Sequence, residues 1–400
     1  MATDVIANQT EFEDLCQTIR DAGIVAFDTE FVSESTYLPE LGLLQYATPE
    51  VAAAVDPLTI DDLAPWWELM ADDETTVVVH GGQAEIRFCL EAIDRKPRKL
   101  VDVQLAEGIR SRSYPLGYTN LVSRLMGQQL KSTQTRTDWL RRPLSPEQLR
   151  YALEDVRHVI PIWECQQKTL KKKDRLWWAE AEFDRFVDDI VAEKEAAPWS
   201  RISGLHKLNR RQLAVAFELA TWRDEVARDR NRQPRRILRD DLLIDVARRR
   251  PKTKKDLFAT RDLNRPATKN AAEEILAAVE RGEDVPDREL PTTMRSRSHD
   301  ADPDQQVVSK LLSLALSNRC AQMEVSQQLV ANNADLQELV RRISNGDDTS
   351  DLPLMNGWRA VVCGDLMADV LNGNVAVRVA KPGESGPLVF MHRGQPDRPR

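Results

Sequence analysis

The chain has 400 residues, 42% of them hydrophobic and 30% charged, with a formal net charge of −8; this excludes a disordered protein and predicts two or three globular domains. No apolar run is long enough to span a membrane, and the first residues lack the basic and apolar character of a signal peptide, so we expect a cytoplasmic protein without membrane contact. The five cysteines are scattered without a CxxC pair, which argues against a zinc site and fits a reducing compartment.

The first half of the chain alternates helix-like and strand-like stretches. Residues 10–20 predict a helix, with Thr10 and Glu13 as a capping box and Gly23 just after its end. The next elements are expected as strands at 24–31, 41–47, 51–55 and 77–80 and a helix near 83–93, with the second and third strands forming a hairpin beside the first. This alternation predicts a mixed α/β domain that ends near residue 195.

Two carboxylates follow the apolar start of the first strand. Asp28 and Glu30 are spaced two apart, and this spacing places both side chains on the same face of a strand. Two such acids on a buried strand repel each other and lose hydration unless a cation joins them. The pair therefore predicts a divalent metal site, and the alternative interpretation is an exposed strand edge.

A further acid follows the strand at 77–80. Glu85 comes after His80 and two glycines, in the first turn of the helix near 83–93. Its position also fits a favourable interaction with the helix dipole. His80, at the end of a strand, is more often a hydrogen-bonded structural residue than a ligand.

A helix is predicted to begin at Ser145, with Pro146 in its first turn and Gln148 completing a capping box. Tyr151 and Asp155 lie one turn apart on this helix, roughly 120–160° from its apolar stripe. The alternative interpretation of the pair is the solvated face of an amphipathic helix. The apolar stripe consists of Leu149, Ala152, Leu153, Val156, Ile160 and Trp163.

Beyond residue 198 the pattern is helical without strands, interrupted by prolines. A polar, proline-containing linker is expected at about 283–304, and the Pro-, Gly- and Arg-rich end is expected to be disordered. The two helical blocks are of similar size and layout, so a duplicated module is plausible. The resulting domain boundaries are 1–195, 205–285 and 303–375, with a tail at 380–400.

The charge is unevenly distributed along the chain. Residues 1–100 carry 20 Asp and Glu against 6 Lys and Arg, whereas residues 201–260 carry 17 Lys and Arg against 8 Asp and Glu. An acidic, metal-binding half joined to a basic module suits a polyanionic substrate, although either block alone also fits a solvated surface.

Together these residues resemble a DEDD-type 3′–5′ exonuclease of the tyrosine subclass: two acids two apart, an acid shortly after His80, and a Tyr four residues before an Asp. Longer strings resemble the ribonuclease D family over about residues 1–195. The helical region is similar to that family's two HRDC domains, clearly at 205–285 and more weakly at 303–375, where GWR at 357–359 is the best match. The strings are FDTEF at 27–31, YLPELGLLQ at 37–45, TRTDW at 135–139 and RPLSPEQLRYA at 142–152.

The resemblance implies an α/β, ribonuclease H-like mixed-sheet exonuclease domain followed by two all-α HRDC-type domains. It implies a monomeric hydrolase that uses two divalent cations, Mg²⁺ or Mn²⁺, to trim the 3′ ends of structured RNA such as tRNA precursors, releasing nucleoside 5′-monophosphates. Tyr151 would orient the attacking water. The metal ligands would be Asp28, Glu30, Glu85 and Asp155, with Glu85 standing where the family has Asp.

Substrate contacts are expected from Gln45 and His80, which match family positions near the site. Further expected contacts come from the basic stretch around Trp139 and from the first helical block; the residues are Lys131, Arg136, Arg141, Arg142, Arg235 and Arg236. Two alternatives stay open: a DNA exonuclease of the same superfamily, and an RNA-binding protein whose nuclease site has degenerated at Glu85.

Overall fold

A five-stranded mixed sheet forms the centre of the first domain. The computed structural model describes residues 5–34, 36–130, 137–260, 262–264, 269–293, 302–382 and 387–392. The strands of the sheet run in the order β3-β2-β1-β4-β5, with β1, β2 and β3 antiparallel and β1, β4 and β5 parallel. Their bounds are β1 Ile24–Val32, β2 Glu40–Ala47, β3 Ala52–Val55, β4 Thr76–Val79 and β5 Leu100–Asp102.

Among the described residues of the first domain, eight helices cover the two faces of this sheet. On one face the core includes Phe27, Trp66 and Ile86, and on the other α6 lies across β1, β2 and β3. Alternation along β1 explains the division, because Phe27 and Asp28 point to opposite faces. The helices are α1 Gln9–Ala22, α2 Ala64–Met70, α3 Gln83–Ile93, α4 Val103–Arg110, α5 Tyr118–Met126, α6 Pro146–Arg157, α7 Val159–Lys172 and α8 Leu176–Glu195.

Two helix predictions need correction. The first helix is capped by Asn8, whose side chain accepts a hydrogen bond from the Glu11 amide, so the predicted capping box at Thr10 is wrong. The apolar stripe expected to continue along one helix is divided at His158, where α6 ends and α7 begins. By contrast, the capping box of Ser145 and Gln148 and the left-handed Gly23 (φ 66°) are confirmed.

Two helical modules follow, and both have the same layout: a long helix, a single turn, a medium helix, a short turn and a closing helix. Gly364 interrupts the last helix with a non-helical backbone conformation. Among all the residues that the structure describes, no helix is both long enough and apolar enough to cross a membrane. The helices are α9 Arg210–Asp229, α10 Pro234–Ile237, α11 Asp240–Arg249, α12 Lys254–Phe258 and α13 Ala272–Asp284, then α14 Pro303–Met323, α15 Gln327–Val330, α16 Asn333–Asn345 and α17 Gly357–Leu371, with a 3₁₀ turn at Pro353–Met355.

The two modules are attached differently. The first has a separate hydrophobic core and meets the sheet domain through polar contacts around Tyr37, whose hydroxyl lies 2.9 Å from Asp224 Oδ2. The second shares one continuous core with α4, α7 and α8, where the Trp358 ring stacks on Trp178 at 5.5 Å. The nearby carboxylate of Glu182 is fully buried and accepts a hydrogen bond from Arg359 at 2.7 Å.

The expected disorder of residues 380–400 is wrong for residues 388–392. These form strand β7, Leu388–His392, which pairs antiparallel with β6, Val375–Val379. Asn318 on α14 anchors β7, because its side chain donates to the Leu388 carbonyl and accepts from the Leu388 amide, both at 3.0 Å. Residues 383–386 and 393–400 of the expected tail lie outside the described residues.

Candidate active site

Asp28 and Glu30 lie side by side on β1, in the middle of the sheet. Asp28 pairs with Gln45 on β2 and Glu30 with Leu43, and the register shifts immediately after Glu30. Both side chains are half-buried and face α6. The spacing of the two acids therefore places them together as predicted, on the face that a helix crosses and not on an exposed edge.

Glu85 approaches from the first turn of α3. Its side chain is 4% exposed, and its Oε1 accepts a hydrogen bond of 2.6 Å from the hydroxyl of Thr29. Thr29 stands between the two acids of β1 but points to the opposite face. The longer Glu arm is therefore fixed by a residue of the same strand that carries Asp28 and Glu30.

Tyr151 and Asp155 complete the cluster from α6. The two side chains are half-buried and hydrogen-bonded to each other, one turn apart. Burial and the neighbouring acids raise the pKa of Tyr151 well above its ordinary value, so the phenol stays protonated and acts as a donor. The solvated-face interpretation of this pair is thus wrong in the folded chain.

Burial raises the pKa values of all four carboxylates, and the charges of neighbouring members of the cluster add to this for Asp28 and Glu30. Burial, then the charges of Glu85, Asp155 and Glu30, raise the pKa of Asp28 well above 3.8. Burial and the charges of Asp155 and Glu85 raise the pKa of Glu30 to about 8. Burial also raises the pKa of Glu85 to about 7 and that of Asp155 to about 6. A cluster that resists ionisation in this way is an environment in which a bound cation would favour the charged forms.

The donor set fits a hard divalent cation. It consists of carboxylates and one phenol, without thiolate or imidazole, and Mg²⁺ and Mn²⁺ prefer such oxygen ligands. In the described part of the chain no three acidic, His or Cys side chains lie in an assembled metal-ligating arrangement. The acids are gathered closely enough to interact electrostatically, and a cation that contacts them together would require their side chains to move.

The two substrate-contact candidates on the sheet lie beside the cluster. Gln45 is fully buried opposite Asp28, and neither of its amide atoms has a hydrogen-bond partner among the residues that the structure describes. The Nε2 of His80 donates to the carbonyl of Leu116 at 2.9 Å, and its ring meets Tyr118 edge to face. His80 is therefore held by a hydrogen bond at the side of the cleft, as we call the space around Asp28, Glu30, Glu85 and Asp155.

The basic residues that were predicted to contact the substrate lie outside the cluster of four carboxylates. Arg235 and Arg236 are exposed on α10, where Arg235 pairs with Asp240 at 3.2 Å. Next to them, Gln233 donates to the carbonyl of Ser33, just after β1, so this helix lies beside the sheet domain. Lys131 and Arg136 lie outside the described residues.

The basic stretch around Trp139 is partly structural. Trp139 is 4% exposed, and Arg142 donates two hydrogen bonds to Asp56 at 2.5 and 2.6 Å. A Cβ at Gly42 would lie 2.7 Å from Trp139, so the segment packs directly on β2. Arg142 therefore fixes the segment that precedes α6 and is not free to bind a phosphate.

Two residues of the site escaped the sequence reasoning. Thr29 could have been found only by asking which neighbour a longer acid at position 85 would reach. Tyr118 donates to the Glu154 carbonyl at 2.8 Å, and its pKa is raised by burial and then by neighbouring acids that include Asp155 and Asp28. No motif in the sequence pointed to it.

Two family models match this chain, one in the sheet domain and one in the first helical module. Residues 3–171 match the model of a 3′–5′ exonuclease family, and residues 212–279 match the HRDC domain. The second helical module lies outside these two matches, so its assignment as HRDC-like rests on its helical layout and stays a prediction.

Curated relatives and a solved structure match nearly the whole chain. A ribonuclease D of Bartonella henselae is 31% identical over 93% of this chain and 90% of its own, and one of Jannaschia sp. is 33% identical over 93% and 96%. The crystal structure of Escherichia coli RNase D, described as an exoribonuclease involved in structured RNA processing, has a TM-score of 0.82 at 27% identity and covers 93% of this chain and 99% of its own. These matches also confirm the predicted mixed-sheet nuclease followed by a helical HRDC domain. The chain belongs to the ribonuclease D family and is a 3′–5′ exoribonuclease.

Proposed function

We propose that the protein trims the 3′ ends of structured RNA, such as tRNA precursors, with two divalent cations held by Asp28, Glu30, Glu85 and Asp155. The observation that carries this proposal is the convergence of these four acids, whose pKa values are all raised by burial and, for Asp28 and Glu30, also by the charges of the others. A bound cation would favour the ionised forms of such a set. When bound, the ions would activate water and stabilise the charge that builds on the leaving 3′ oxygen.

The remaining roles fall to side chains beside the acids. Tyr151, kept protonated by burial and its acidic neighbours, donates its hydrogen bond to Asp155, so its hydroxyl oxygen would accept a hydrogen bond from the attacking water and orient it. Gln45 holds a fully buried amide without a partner among the described residues opposite Asp28, and a contact with the terminal nucleotide would require this side chain to turn toward the acids. Hydrolysis in this arrangement releases nucleoside 5′-monophosphates.

Glu85 is the departure from the family pattern, and we propose that it remains functional. Its carboxylate is held by Thr29 at 2.6 Å and stays in electrostatic contact with Asp28. The extra methylene changes the reach of the ligand by about one bond length, and Mg²⁺ tolerates such changes poorly. A preference for Mn²⁺ over Mg²⁺ is the expected consequence.

The choice of structured RNA as substrate has two supports. The matched E. coli enzyme is described as acting in structured RNA processing. The first helical module of this chain is basic, with Arg235 and Arg236 exposed beside the sheet domain. Contacts of this kind weaken steeply with salt.

A metal-titrated degradation assay on a 3′-extended tRNA tests the proposal. Wild-type protein should shorten the RNA stepwise with Mn²⁺ or Mg²⁺, and Asp155→Ala should abolish shortening while RNA binding persists. Glu85→Asp should improve activity with Mg²⁺ more than with Mn²⁺. Intact RNA at saturating concentrations of both metals would refute the proposal.

A further inference from the structure

An open cavity of about 580 Å³ lies between the sheet domain and the second helical module. It opens where the loop after α4 meets α15 and the start of α16. Its lining is rich in amide, hydroxyl and guanidinium groups, with one aromatic ring. The principal residues are Arg112, Tyr114, Gln327, Gln328, Asn332 and Asn333.

The walls of this cavity are fixed relative to each other. The Ser326 amide donates to the Gly108 carbonyl at 2.8 Å, and a Cβ at Gly108 would lie 2.5 Å from Leu329, so α4 and the second module are in close contact. Lys173 and Glu324 pair across the same junction at 2.7 Å. A groove between elements that share one core is preformed, so a ligand need not order it.

The cavity has the chemistry of a backbone-binding groove. Arg112 is exposed, and within the described ranges no hydrogen bond or ion pair engages its guanidinium. Side-chain amides can donate to phosphate oxygens and 2′-hydroxyls without selecting a base, and the half-buried Tyr114 offers a ring for stacking.

The same loop connects the cavity to the acid cluster. Its start, Arg112, lines the cavity; its Leu116 carbonyl accepts from His80; and it ends at Tyr118, whose pKa the charges of Asp155 and Asp28 help to raise. Six residues span at most about 20 Å. An RNA strand whose 3′ end occupies the cleft therefore needs only a few more nucleotides to reach the cavity.

We propose that this cavity binds the sugar-phosphate backbone of the RNA strand a few nucleotides upstream of its 3′ end. The proposal rests on the exoribonuclease site proposed above and makes the second module part of the substrate track. Contacts to phosphates and 2′-hydroxyls would hold the strand without reading its sequence.

The test measures whether substitutions in the cavity weaken the binding of a long RNA more than the binding of a short one. Binding of fluorescent RNAs of about 3 and 12 nucleotides is measured by anisotropy in EDTA, for wild type, Arg112→Gln, Gln328→Glu and the control Arg98→Gln. Arg98 pairs with Asp73 just before β5, at the opposite end of that strand from the cleft. All three substituted positions are at the surface, and equal melting temperatures would show that the fold is kept.

For the 12-nucleotide RNA we expect about five- to tenfold weaker binding with Arg112→Gln or Gln328→Glu, and a salt slope reduced by about one for Arg112→Gln. The 3-nucleotide RNA and the control variant should be unaffected. Three results would each overturn the proposal that the cavity binds RNA: an equal loss of affinity for both RNA lengths, unchanged binding of the 12-nucleotide RNA, or the same loss of affinity in Arg98→Gln. Loss of metal-dependent degradation by wild type would instead contradict the proposed active site.

Discussion

Replacing an acid of the proposed active site should make the metal-free protein more stable. Glu85 is 4% exposed, and burial raises its pKa from 4.5 to about 7. Ionising it therefore costs the folded protein on the order of 3 kcal/mol more than it costs the unfolded chain. Glu85→Gln removes this charge, while its amide oxygen can still accept from Thr29. At pH 8 in EDTA, we expect the unfolding free energy to rise by about 2–3 kcal/mol, although nuclease activity falls.

The pH dependence gives this prediction its sign. The folded-state pKa of Glu85 is raised, so its favourable contribution is present below about pH 4.5 and is lost as the pH rises through about 7. The gain from Glu85→Gln should therefore be largest at pH 8 and mostly absent at pH 5. Urea unfolding followed by tryptophan fluorescence measures both values, with Glu147→Gln, at a surface position on α6, as the control. If Glu85→Gln lost stability at pH 8, or gained equally at both pH values, the conclusion that the buried Glu85 carboxylate destabilises the fold when it ionises would be wrong.

Three other variants address the frame of the site. Arg359→Met should lower the unfolding free energy by about 1–3 kcal/mol, because it removes one of the two arginine partners of the buried Glu182 and leaves Arg185; urea unfolding with and without Glu182→Gln shows whether the pair is responsible. Tyr151→Phe should lower kcat about 100-fold with an unchanged melting temperature, and a kcat near that of wild type would exclude the phenol from catalysis. Although burial alone would raise the pKa of Asp56, hydrogen bonds from Arg142 hold it below 3.8, so this stabilisation is present above about pH 4 and lost at lower pH. Asp56→Asn should therefore cost about 1–3 kcal/mol at pH 7 and progressively less as the pH falls below 3.8, as measured by urea unfolding over this pH range.

Local rules were sufficient for the parts of the site that depend on one element. The two-residue period of a strand put Asp28 and Glu30 on one face, and the capping box of Ser145 placed Tyr151 and Asp155 on one turn of α6. The same rules failed where two local solutions competed. Asn8 caps α1 in place of Thr10, two residues further on, because either side chain could satisfy free amides at a helix start.

Contacts between distant segments were beyond the sequence. Thr29 and Glu85 are 56 residues apart, and their hydrogen bond depends on how α3 meets β1. The pairing of β7 with β6 likewise depends on Asn318, 70 residues away from Leu388. Composition alone suggested disorder there, because Gly and Pro are as frequent between strands as in unstructured tails.

The two helical modules show why similar layout does not mean similar attachment. The first can separate from the sheet domain by breaking polar contacts such as Tyr37–Asp224, each worth about 1 kcal/mol, without opening its own core. Separating the second would expose Leu329 and Trp358 and would break the hydrogen bond from Arg359 to Glu182, at a cost of several kcal/mol. The domain boundary predicted near residue 303 therefore does not separate two independently stable units. Sheet domain and second module form one folding unit, and a nuclease truncated before residue 303 would lose part of its own core.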